Sequence, residues 1–109
     1  MTNEYGATLD ANGYAPSLLE QDDECCWYCG CGGDLARHEA FEGTGRRQKS
    51  KQLGLWVRIC PVCHAVCHDA PQSGIALLLK REAQKRACEE YGWSTVRFIA
   101  EFGKNYQEE

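Results

Sequence analysis

The sequence lacks any long apolar run: the longest is Ile75-Ala76-Leu77-Leu78-Leu79, far short of the roughly 20 residues that cross a bilayer. Its mean hydropathy is negative, and both features argue against a membrane protein. The first residues, Met-Thr-Asn-Glu-Tyr, lack the basic and apolar regions of a secretory signal, so residence in a cytoplasm is expected. There are only three prolines and three histidines, and no internal repeat beyond two Cys-x-x-Cys pairs. Charge of one sign is missing from two stretches. Residues 1–24 hold Glu4, Asp10, Glu20, Asp22, Asp23 and Glu24 but no Lys or Arg. Residues 43–68 hold Arg46, Arg47, Lys49, Lys51 and Arg58 but no acid. The net charge of −4 therefore hides a segregation. The basic stretch can face phosphates, although on charge alone a solvated surface loop is the preferred reading.

What the chain has in quantity is cysteine, eight in 109 residues: Cys25, Cys26, Cys29, Cys31, Cys60, Cys63, Cys67 and Cys88. The length fits one domain, small enough for a metal staple to help it fold. In a reducing compartment a disulfide framework is disfavoured, which leaves metal binding. Cys26-x2-Cys29 and Cys60-x2-Cys63 each present two thiolates from one turn, and together they offer the four soft donors that a tetrahedral zinc takes. Cys29 with Cys31 is an alternative first pair, and Cys67 an alternative to Cys63. Cys88 reads as a small buried residue of a helix.

The pattern between and after the pairs predicts an α+β domain. Residues 1–24, with Gly6, Gly13 and Pro16, read as a flexible acidic arm, and residues 25–109 as the zinc-binding domain. Short strands are expected at 36–41 and 55–59, with a polar loop and a helical turn near Gln48–Gln52 between them. Pro61 suits the first turn of a helix behind the second pair. Residues 75–91 have helical spacing, with Ile75, Leu78, Leu79, Ala83 and Arg86/Ala87 on one face, and Gly92 ends that helix. Ser94 caps a last helix, Thr95 to Phe102, closed by Gly103, in which Val96, Phe98, Ile99 and Phe102 are expected to pack.

All three histidines lie near the cysteine pairs. His38 is in the first strand. His64 follows Cys63, and His68, four residues on, shares its helical face. With Glu39 and Asp69 beside them they form a candidate second site for Mg²⁺, Mn²⁺ or Zn²⁺. The alternatives are a histidine replacing a cysteine at the zinc, or, for His38, an ordinary strand position.

Read in order, the residues are Cys26-x-x-Cys29-Gly30, Arg37-His38-Glu39-Ala40-Phe41, Gly43-x-x-x-Arg47-x-x-Ser50, Gly54-Leu55-Trp56-Val57 and Cys60-x-x-Cys63-His64. This series resembles the HNH, or ββα-metal, endonuclease superfamily, and in particular the small HNH-like proteins of bacteriophages and prophages. The resemblance runs over roughly residues 25–106, through Leu77–Tyr91 to Phe102-Gly103-Lys104-Asn105-Tyr106. It implies a treble-clef-like frame around a structural zinc, with a catalytic hairpin and helix and two C-terminal helices. It further implies a metal-dependent DNA endonuclease in the host cytoplasm that uses Mg²⁺ or Mn²⁺. By matching, His38 is a metal ligand and Glu39 stands in the general-base slot, or the two roles are exchanged. His64 is the ligand on the helix, with His68 as a helper, and Arg46, Arg47, Lys49 and Lys51 meet the DNA backbone. The sequence departs from the pattern twice: the base slot holds Glu39 instead of His, and the motif's Asn has no counterpart, with Arg46 standing near its place. Those departures also suit a second expectation, an inactive zinc-binding module that holds DNA or a host or phage protein. A redox role for the Cys-x-x-Cys pairs is disfavoured, because no βαβ pattern surrounds them.

Overall fold

A computed structural model describes residues 1–107. In chain order the elements are β1 (Ala36–Glu39), α1 (Arg46–Gln52), β2 (Trp56–Ile59), α2 (Pro61–Asp69), α3 (Gly74–Tyr91) and α4 (Thr95–Phe102). Among the described residues the fold is a small α+β arrangement of four helices and one two-stranded sheet. None of the described helices is long and apolar enough to cross a membrane.

β1 and β2 are antiparallel, with His38 opposite Val57 and Glu39 opposite Trp56. β1 stops two residues short of the expected 41. Ala40 N–H still bonds Leu55 O at 2.9 Å, but Phe41 N–H turns to Ser50 Oγ at 3.2 Å, which takes the chain off the ladder. Phe41 then enters the core against Phe102 and Phe98, with ring centroids 4.4 and 5.4 Å away. A two-stranded hairpin has little stability alone; here Leu55, Val57 and Ile59 are buried in one core cluster with residues of α2, α3 and α4.

The expected helix boundaries hold. Cys60 caps α2 and Pro61 opens it, Gly92 ends α3 at φ 69°, and Ser94 Oγ caps α4 by accepting from Arg97 N–H at 3.1 Å. The buried faces differ from the expected ones. α3 buries Ala76, Leu79, Lys80, Ala83, Gln84 and Ala87, whereas Leu78 is 48% exposed. The buried polar pair is satisfied. Lys80 Nζ donates to Glu42 at 2.8 Å and to the Pro71 carbonyl. Gln84 donates to Asn105 Oδ1 and accepts from Tyr106 N–H, both at 2.8 Å. The expected Leu79, Ala83 and Ala87 are buried and Ile75 packs against the core, so apolarity located part of the stripe and missed Ala76, Lys80 and Gln84. In α4, Phe98 and Phe102 are buried while Val96 and Ile99 face outward.

Residues 1–24 do not stand off as the expected flexible arm. They carry almost no regular structure, yet they lie along the hairpin. Ala15 and Leu19 are buried. Trp56 Nε1 donates to Ala15 O at 2.8 Å, and Leu18 N–H bonds Gly54 O at 2.8 Å. Tyr5 stacks on Tyr91 at 4.2 Å and accepts from Trp93 Nε1 at 2.9 Å. The acids have a physical role here. Arg37 and Arg58 are directly opposed in the sheet, a repulsive pairing. Asp10 and Asp23 relieve it, each at 2.6 Å from one guanidinium.

Candidate metal centres

The four sulfurs of Cys26, Cys29, Cys60 and Cys63 lie within 4.8 Å of one another, a set that can hold a metal ion such as zinc. Each half is positioned by its own turn. In the first, Cys26 N–H bonds Cys31 O at 2.7 Å and Gly30 N–H bonds Cys26 O at 3.0 Å, with Gly30 at φ 79°, a region that favours glycine. Trp27 N–H reaches Arg58 O at 2.8 Å and pins this turn to β2. In the second, the α2 N-terminus points the Cys63 N–H at Cys60 Sγ.

These turns tune the thiols. Burial works against a thiolate at Cys26, but the backbone amides of Cys29, Cys60 and Tyr28 outweigh it and bring the thiol down to about 6. The Cys63 amide, against a smaller opposing effect of burial, lowers Cys60. Burial first, then the neighbouring sulfurs, raises Cys63. Sulfurs this close compete for negative charge, a conflict that a divalent cation resolves.

The remaining cysteines are outside the set. Cys67 is buried one turn further along the same face of α2, where it lines the histidine cavity, and it is not one of the four clustered sulfurs. Cys88 is half-buried in α3 and Cys25 half-buried before the knuckle. Cys31 is the near neighbour, exposed, with its sulfur 3.4 Å from that of Cys29.

A second group forms from His38, His64 and His68, whose ring nitrogens also lie within 4.8 Å of one another. No histidine enters the cysteine set. His64 and His68 project from one face of α2, and His38 meets them from β1 with centroid separations of 5.1 and 5.7 Å. Burial, followed by the charges of His64 and His68, depresses His38 to about 4; burial likewise lowers His64. Imidazoles kept neutral present the lone pair that a metal requires. Asp69 is exposed at the helix end and does not join the group.

The histidines open onto a cavity of about 570 Å³ that Glu39, Arg47 and Tyr14 also line. Glu39 Oε2 accepts from the Tyr14 hydroxyl at 2.8 Å, and Oε1 faces Arg47 Nε at 3.7 Å. Burial, then the bond to Glu39, raises the Tyr14 phenol to about 12, so it stays a donor. The expected DNA-facing bases, all on α1, have different neighbours. Arg47 reaches the cavity. Arg46 lies against Gly103, Lys49 is tied to Glu101 at 3.3 Å, and Lys51 sits 5.0 Å from the Tyr14 ring. Sequence reading missed Tyr14 and Lys80 as cavity residues, and no local signal marks either one. No family model, no curated protein and no solved structure matches this chain.

Proposed function

We propose that this chain is a metal-dependent phosphodiester hydrolase of the HNH type acting on DNA, built on a treble-clef-like frame around a structural zinc. One observation carries the reading: His38, His64 and His68 converge in the wall of a cavity that they share with Glu39 and Arg47. The knuckle, hairpin and helix follow one another in the order such a frame requires.

His38, His64 and His68 would hold the ion. With His38 committed to that role, Glu39 is left as the general base. When bound, the ion supplies Lewis acidity to a phosphoryl oxygen and to the leaving oxygen. Glu39 Oε1, whose nearest cation is 3.7 Å away, takes the proton of the attacking water. Arg47 balances charge on the non-bridging oxygens. Three imidazoles and no oxygen donor suit Zn²⁺ or Ni²⁺ better than Mg²⁺, which prefers carboxylates and water. Mn²⁺ stands between these cases.

The test is cleavage of supercoiled plasmid by protein carrying one equivalent of zinc, titrated with Zn²⁺, Ni²⁺, Mn²⁺ and Mg²⁺. Cleavage that requires the added ion supports the reading. A folded, zinc-loaded protein that leaves the plasmid intact with every ion overturns it. That result would favour a non-catalytic binding module, a reading that the Tyr14 hydrogen bond to Oε2 and the nearness of Arg47 to Oε1 also suit.

A further inference from the structure

We propose that Tyr14, from the N-terminal segment, is a positioning residue that decides which oxygen of Glu39 is free to act in the cavity. The inference rests on the hydrolase reading above, because it concerns the orientation of that reaction's base.

A glutamate carboxylate turns readily about its last torsion, which has broad and nearly two-fold preferences. A donor fixed in space removes that freedom. The Tyr14 hydroxyl holds Oε2 at 2.8 Å, which leaves Oε1 directed toward Arg47. The donor is itself fixed. The Arg37 guanidinium lies over the Tyr14 ring, 4.0 Å from its centroid, and Trp56 meets the ring edge-on at 5.4 Å. The turn that carries Tyr14 closes on itself. Tyr14 N–H donates to Asp10 Oδ1 at 3.0 Å, and Asp10 N–H donates to Tyr14 O at 2.9 Å. Asp10 Oδ2 then bonds Arg37 at 2.6 Å. Arg37 and Glu39 are two apart on β1 and so share one face of the strand, and Glu39, at the strand's end, also lines the cavity with His38 and His64. The turn is therefore anchored to the same strand face as the carboxylate it orients. The tyrosine and the glutamate it serves are 25 positions apart.

A purely structural tether would also explain the contact, so the experiment separates the two. The full chain, zinc-loaded and supplied with the ion that supports cleavage, is assayed on a short DNA duplex as wild type, Tyr14→Phe, Glu39→Gln and the double variant. Phenylalanine keeps the ring contacts and removes only the hydroxyl. The expected result is a kcat about tenfold lower in Tyr14→Phe, the size of one hydrogen bond, with KM for DNA unchanged. The double variant is then no slower than Glu39→Gln, because the two residues act as a unit. A Tyr14→Phe kcat within twofold of wild type, or a full tenfold loss repeated in the Glu39→Gln background, overturns the positioning role while leaving the hydrolase reading standing. A wild-type protein that does not cleave overturns both. Asp10→Ala loosens the turn without touching the phenol, and serves if Tyr14→Phe fails to fold: a lowered kcat at constant KM supports the role, and an unchanged kcat overturns it.

Discussion

His64 and His68 bring their Nε2 atoms to 3.0 Å across one turn of α2. At that distance the two nitrogens either share a proton or share a cation, and the nearby His38 imidazole, held neutral, favours the cation. His64→Ala should therefore leave the fold and the cysteine-bound zinc intact. It should abolish uptake of a second metal equivalent and lower any cleavage by at least about 100-fold, the effect of losing a metal ligand or its close support. Metal content by mass spectrometry and the plasmid assay check this. Wild-type cleavage in His64→Ala would rule out the histidine centre.

The cysteine set predicts unequal effects within one site. Cys26→Ser or Cys60→Ser should unfold the domain, because the free energy of binding a structural zinc is folding free energy. Cys29→Ser should be milder, since Cys31 places an exposed sulfur 3.4 Å from the one removed. Zinc stoichiometry and cooperative urea unfolding distinguish them. Cys29→Ser with the same loss as Cys26→Ser would show that Cys31 does not take its place.

Folding holds His38 at about 4, below the 6.5 of a free histidine. As pH falls through 6.5 the unfolded chain takes up this proton first, so the contribution of His38 is fully present above pH 6.5. It is lost progressively between pH 6.5 and about 4. The slope reaches at most about 1.4 kcal/mol per pH unit. Urea melts of protein with one equivalent of zinc, wild type against His38→Gln, measure it as a difference in which the cysteine site cancels. Parallel stability curves for the two proteins would contradict the depressed value.

Gly54 sits at φ 76°, and a Cβ there would collide with the Pro16 carbonyl oxygen. Gly54→Ala should cost about 2 kcal/mol or more, from left-handed strain together with the clash. It should also loosen the N-terminal segment, visible as faster hydrogen exchange at the Leu18 amide, which bonds Gly54 O. Unchanged stability would mean that the segment does not need this close approach.

These expectations differ in how far they could be read without coordinates. The two Cys-x-x-Cys turns, the i,i+4 spacing of His64 and His68, Pro61 at the head of α2, the Ser94 cap and the glycines that end α3 and α4 are local features. Each acts over a few residues, so spacing alone identifies them. The α3 face was legible only at Leu79, Ala83 and Ala87; Lys80 and Gln84 are buried by partners at Glu42, Asn105 and Tyr106, and a polar letter does not announce a buried partner. The N-terminal segment was not legible either, because a chain with no periodicity reads as free until its backbone bonds to Lys51 and Gly54 are seen.

By itself, then, the sequence determined the chemistry available: four thiolates in matched pairs, three imidazoles, a carboxylate beside one of them and a run of bases. Only the tertiary structure decided the company each keeps. It separated sulfur from nitrogen into two centres, placed Cys31 beside the first, brought Tyr14 to Glu39 beside the second, and divided the bases so that Arg47 alone of the four lines the cavity. The physical reason is range. Helical and turn geometry is set within a few residues, whereas burial, hydrogen-bond partnership and the shift of a titrating group depend on whichever distant side chains the packed core brings into contact.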